Sequence, residues 1–143
     1  MGGIRPMKKK VPVPALAILI LATLVVAGVK TVLGPCVHED GSFGPCHWTG
    51  QAVFGTAVLL AVQSLCAIVQ RQEAGRRGLY LAMMLTAVLG ILFPGTLIGL
   101  CGMATMRCRA VMRPAVTILF SLAAILSLAG FLTGRTSRMD TGA

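Results

Sequence analysis

Four long stretches of this chain carry no charged residue, and they limit what it can fold into. They cover residues 11–29, 49–70, 78–106 and 114–134. A helix needs about 20 apolar residues to cross the hydrocarbon core of a bilayer, which is about 30 Å thick. Lipid offers open backbone no hydrogen-bonding partner, so each stretch that crosses must be helical. We therefore predict an all-α, integral membrane four-helix bundle. The predicted spans cover about residues 11–33, 49–70, 79–100 and 114–134.

The composition supports lipid as the solvent for much of the chain. Of 143 residues, 56% are hydrophobic and only 12% are charged, whereas a soluble domain has roughly a quarter charged residues. The net charge of +9 would suggest nucleic acid in a soluble protein. The chain has one Trp, one Tyr and no interleaving of basic and aromatic residues, so we predict no nucleic-acid partner.

The distribution of basic residues predicts the orientation. Nine lie in the N-terminal tail, the loop between the second and third spans, and the C-terminal tail, against four on the other side. The side with the excess is cytoplasmic by the positive-inside rule. We expect both termini inside the plasma membrane of a bacterium, in a multi-pass arrangement. The outer segments would be residues 34–48 and 101–113, forming a short cysteine-rich extracytoplasmic cap.

Details within the spans lead to further expectations. The sequence Phe93-Pro94-Gly95 should kink or end the third helix, with a short interfacial helix following Gly95. Thr49 is a candidate N-cap for the second span. Gln63 and Ser64 could hydrogen-bond to a neighbouring helix or a partner subunit. Cys66, deep in the second span, is expected to be a buried small hydrophobe.

The outer segments together hold four of the five cysteines: Cys36, Cys46, Cys101 and Cys108. In an oxidising compartment these thiols would form disulfides, and sequence cannot choose among the three pairings that four cysteines allow. If residues 101–108 are helical, the Cα atoms of Cys101 and Cys108 lie about 10.5 Å apart. A disulfide needs less than about 7 Å, so bridges to Cys36 and Cys46 would then be favoured.

Three interpretations of this cluster stay open. The first is structural: disulfides staple the ends of two helical hairpins, and no cofactor is needed. The second is a Cu or Zn site, because the outer segments contain thiolate, imidazole and thioether ligands. Its candidate ligands are Cys36, His38, Cys46, His47, Cys101, Met103, Met106 and Cys108.

The third interpretation is thiol–disulfide exchange. Two outer cysteine pairs on a bundle of four spans look like the quinone-coupled disulfide-generating membrane proteins, although this chain lacks their CxxC pair. Arg107 and Arg109 would stabilise a thiolate at Cys108. More commonly, arginines such as Arg107, Arg109 and Arg113 pair with acidic residues or with lipid headgroups, and we predict anion or headgroup contacts for them.

Two short segments carry a family resemblance. Cys46-His47-Trp48 and the segment Ile98-Gly99-Leu100-Cys101 to Met106-Arg107-Cys108 resemble the DUF4418 family of small four-span bacterial membrane proteins of unknown function. The resemblance implies an integral membrane protein without assigned enzymatic activity that accompanies ABC-type exporters. The sequence also shows no nucleophile–base pair, phosphate-binding loop or acid pair, so we predict a non-enzymatic accessory or scaffold subunit of a transporter. Its expected partners are the bilayer and a larger membrane permease, and the spans are also compatible with a homo-oligomer.

Overall fold

The computed structural model describes residues 12–32, 41–42, 44–100, 102–103, 105 and 108–140, with side chains for all of these except 108 and 135–140. Within these residues the chain is all-α, and the prediction of four helices is confirmed. A π-helical turn, Cys108–Met112, leads into the last helix. All four helices are long and apolar enough to cross a membrane. The helices are α1 (Val13–Lys30), α2 (Pro45–Val69), α3 (Glu73–Leu92) and α4 (Arg113–Asp140).

The four helices form a closed bundle. Each packs against the next along the chain, and α4 closes the ring by packing against α1. The beginnings of α1 and α3 and the later part of α4 line one cavity, so successive helices run antiparallel. Ala15 and Ala22 of α1 and Ala123 of α4 are buried in the core. Small side chains of this kind let helices approach closely without a hydrophobic driving force.

Helix α2 begins earlier than predicted because of its proline. Pro45 occupies the first helical position, where a missing N–H costs nothing and the fixed φ suits the helix. The residues Cys46, His47 and Trp48 are therefore helical, not part of a loop that reaches residue 48. The prediction of Thr49 as N-cap is wrong: Gly44 holds that position, and the Thr49 hydroxyl donates to the Pro45 carbonyl at 3.2 Å.

Helix α3 begins before residue 79, where the predicted span starts. It also ends before residue 100, where the predicted span stops. It begins at Glu73 and stops at Leu92, just before the Phe93-Pro94-Gly95 sequence that was expected to end or kink it. The prediction of a short helix after Gly95 is wrong for residues 96–100, which the structure describes as non-helical. Residues 93–98 instead form a turn, in which the Gly95 N–H donates to the Ile98 carbonyl at 3.1 Å and the Ile98 N–H donates to the Phe93 carbonyl at 3.2 Å.

The expectations for Gln63, Ser64 and Cys66 of α2 have three different outcomes. Ser64 does reach a neighbouring helix: its hydroxyl lies 3.4 Å from the Met83 sulfur, in addition to its 2.8 Å bond to the Leu60 carbonyl. The Gln63 Oε1 atom is buried without a hydrogen-bond partner. The expectation for Cys66 is wrong, because this free thiol is exposed on the outside of the bundle.

Candidate functional site

The first turn of α2 belongs to the predicted cysteine cap. Cys46 is only 1% exposed and Thr49 is fully buried, so this turn packs into the bundle. The rings of His47 and Trp48 meet edge to face, with centroids 5.8 Å apart. Trp48 itself is 63% exposed. An exposed indole at the end of a membrane-spanning helix is typical of the interface between hydrocarbon and headgroups.

A cation–π contact ties the end of α1 to α2 at this same end of the bundle. The Lys30 ammonium nitrogen lies 4.7 Å from the centroid of the Phe54 ring. Such contacts contribute about 0.5–1 kcal/mol at exposed sites. The contact holds the last turn of α1 beside the beginning of α2, which is the segment that carries Cys46.

The turn after α3 packs against the beginning of α4. Gly95 has a positive φ of 93°, and a Cβ atom built there would lie 3.5 Å from both Nε and Cζ of Arg113. The Arg113 guanidinium therefore lies against the turn, although the residue as a whole is exposed. Arg109 and Met103, which precede α4 in the sequence, are also exposed. Two of the three predicted anion-contact arginines are thus accessible in the structure.

Much of the predicted cluster lies outside the described residues. This holds for Cys36, His38, Cys101, Met106 and Arg107, and for the side chain of Cys108. The disulfide, metal and anion roles therefore stay predictions. Within the described part of the chain, no group of three His, Cys, Asp or Glu side chains could hold a metal ion. Of the eight predicted ligands, that part includes the side chains of Cys46, His47 and Met103.

Sequence reasoning missed a second cluster, at the opposite end of the bundle. Arg76 and Arg77 served only as topology signals, but they lie in the first turns of α3 and line a cavity together with Glu73 and Tyr80. These four residues follow the i, i+3, i+4, i+7 spacing of one helix face. That spacing could have revealed the cluster, had the helix been extended back through the charged residues.

The family assignment rests on a match over most of the chain. The model of the DUF4418 family, described as a domain of unknown function, matches residues 18–133. The chain belongs to the DUF4418 family. The match extends from within α1 to within α4, so it includes both cysteine segments, all of α2 and α3, and most of α1 and α4. No curated protein and no solved structure matches the chain significantly.

Proposed function

We propose that this protein is a non-enzymatic membrane subunit that acts through a larger partner, as an accessory or scaffold subunit of a transporter. The main support for this proposal is that buried hydroxyl groups of the bundle are hydrogen-bonded within their own helices. Four of them donate to carbonyl oxygens one turn back in their own helices, at 2.7–2.8 Å. They belong to Thr56, Ser64, Thr86 and Ser127.

This arrangement supports action through the surface. A hydroxyl that bonds within its own helix is satisfied without water or substrate. Around these groups the core is filled by apolar side chains such as Leu60, Met83 and Phe120. These four hydroxyls therefore serve packing within the bundle and are not held ready for a ligand in its interior. The surface available for a partner is the apolar exterior together with the two ends of the bundle.

The outer cysteines fit the same proposal as a structural device. Disulfides among Cys36, Cys46, Cys101 and Cys108 would either close each outer segment on itself or join the beginning of α2 to the segment before α4. Both arrangements stay open, because residues 102, 103 and 105 are not helical. Such cross-links stabilise by about 2–4 kcal/mol each, mainly by restricting the unfolded chain. They would fix the outer end of the bundle as a rigid surface for a partner on the extracytoplasmic side.

Site-specific photo-crosslinking in native membranes tests this proposal. A photoreactive residue would replace one exposed side chain on each helix: Ile20, Val62, Leu85 and Ile125. We expect protein adducts from one or two faces only, and mass spectrometry should identify a membrane permease in them. Export by that permease should fall when the chain is deleted. Adducts to lipid alone, adducts only to a second copy of the chain, or unchanged export would each contradict the accessory role.

A further inference from the structure

A cavity lies at the end of the bundle opposite the predicted cysteine cap. Its volume is about 340 Å³, and it is open to the outside of the bundle. The first turn of α1, the first two turns of α3 and residues 130–134 of α4 form its walls. The charge distribution predicts that this end would face the cytoplasmic leaflet. In that orientation the three helices would converge at the level of the lipid headgroups.

Arg77 is the polar group in this cavity with unmet hydrogen-bonding needs. Its Nε and Nη2 atoms are buried and have no hydrogen-bond partner. The side chain lies across Gly134, where an added Cβ would be 3.1 Å from Nε. Nε–H and Nη2–H form the edge of a guanidinium that binds two oxygens of a phosphate or carboxylate at once. An unsatisfied buried donor is costly, so a ligand that accepts from both atoms would be favoured.

The electrostatics of the cavity favour an anion. Arg76 and Arg77 outnumber Glu73, the one carboxylate that lines it. Helix α3 begins here without a side-chain hydrogen bond to cap it. The beginning of a helix carries partial positive charge and backbone N–H groups without intrahelical partners, which together suit phosphate. Helix α1 adds little to this, because Pro12 and Pro14 have no N–H. The Thr133 hydroxyl already donates to the Ala129 carbonyl at 2.7 Å, so its proton is not available to the anion.

Part of the cavity lining is apolar. This part includes Pro12, Val13 and Pro14 at the beginning of α1, and Val13 is 75% exposed. A ligand here would meet both a guanidinium and aliphatic surface. We propose that this cavity binds the phosphate group of an anionic phospholipid through the Arg77 guanidinium. Its Nε–Nη2 edge, covered in this structure, turns from Gly134 toward the opening to hold the phosphate, and the acyl chains extend along the apolar exterior.

A lipid titration of the full chain in nonionic detergent tests the site. The probe is short-chain phosphatidylglycerol, with native mass spectrometry counting bound lipids. We expect saturable binding of one lipid that Arg77→Gln weakens about tenfold or more, as loss of a charged hydrogen-bonded pair predicts. Arg77→Lys should also weaken binding, because lysine keeps the charge but lacks the two-donor edge. Thermal unfolding of each variant separates loss of binding from loss of fold.

The matched control is Arg71→Gln, which removes the same charge from the exposed loop between α2 and α3. It should bind the lipid as the unaltered protein does. Equal weakening by Arg71→Gln and Arg77→Gln, or the absence of saturable binding, would overturn the proposal. A second arm titrates inorganic phosphate alone. If inorganic phosphate binds as tightly as the lipid and Arg77→Gln weakens this binding, the phosphate site is supported. Its occupant is then a free anion and not a lipid. This test does not depend on the accessory role proposed above.

Discussion

The ring of Tyr80 on α3 lies directly against the backbone of Gly130 on α4. A Cβ atom added at Gly130 would come within 2.6 Å of the ring. A second contact of this kind lies farther along the same interface, with the glycine on α3 and the ring on α4. A Cβ atom at Gly90 would come within 2.6 Å of the Phe120 ring. Ten residues separate the aromatic residue from the glycine on each helix. Because the helices are antiparallel, the two contacts fix their approach at two levels.

Substitution of either glycine by alanine should therefore destabilise the bundle. We expect Gly90→Ala and Gly130→Ala each to lower the free energy of unfolding by about 1–3 kcal/mol, because the rings must shift out of a packed interface. Unfolding of the purified protein by increasing SDS in mixed micelles would measure this.

The control for the glycine substitutions is Gly55→Ala. Gly55 lies in α2, and an added Cβ there meets nothing within 4 Å. Alanine is the better helix former, so this variant should be neutral or more stable by up to about 1 kcal/mol. If all three variants unfold alike, the aromatic–glycine contacts do not hold α3 to α4.

The turn after α3 gives a second prediction. Gly95 has a φ of 93°, which costs an L-amino acid about 1–2 kcal/mol. We expect Gly95→Ala to loosen the turn and to speed amide hydrogen exchange at Leu97 and Ile98, whose N–H groups close it. Gly99→Ala is the matched control, since Gly99 has open space around it and no positive φ. Unchanged exchange in Gly95→Ala would contradict the described turn.

The thiols give a third prediction. Alkylation in intact cells before extraction, followed by mass spectrometry without reduction, would report the state of each cysteine. We expect Cys36, Cys46, Cys101 and Cys108 to be recovered as stable disulfides. The free thiol of Cys66 should stay unbridged, and Cys66→Ala should change stability by less than about 0.5 kcal/mol, as is usual for exposed sites. Free or mixed-state outer thiols would instead favour the metal or thiol-exchange interpretation.

The number of helices could be predicted from sequence, because bilayer thickness and backbone desolvation leave few alternatives for a long uncharged stretch. A break in α3 near Pro94 and Gly95 could also be predicted, although the predicted span runs on to residue 100 and the helix ends at Leu92. The beginnings of α2 and α3 could not. A hydropathy criterion stops at the first charged or loop-like residue. Pro45 nevertheless starts a helix well, and Glu73, Arg76 and Arg77 extend α3 beyond its apolar part.

The packing partners were beyond sequence reasoning for a different reason. Gly90 and Gly130 look like any other small residues of a membrane helix, and only the relative rotation of α3 and α4 pairs them with Phe120 and Tyr80. The orphaned donors of Arg77 are equally invisible in sequence. An arginine beside a span signals orientation, whereas its burial against Gly134 depends on how three helices meet.

Orientation connects the cysteine chemistry, the lipid site and the proposed partner surface, so its measurement tests the account most directly. A short protease site would be inserted either at Arg71, in the loop between α2 and α3, or at Met103, in the segment before α4. Protease would then be added to intact cells, in which only the outer side of the plasma membrane is accessible to it. We predict cleavage at Met103 and protection at Arg71 until the cells are lysed. Cleavage at Arg71 in intact cells, or at both sites, would contradict a four-span bundle with its cysteine segments outside.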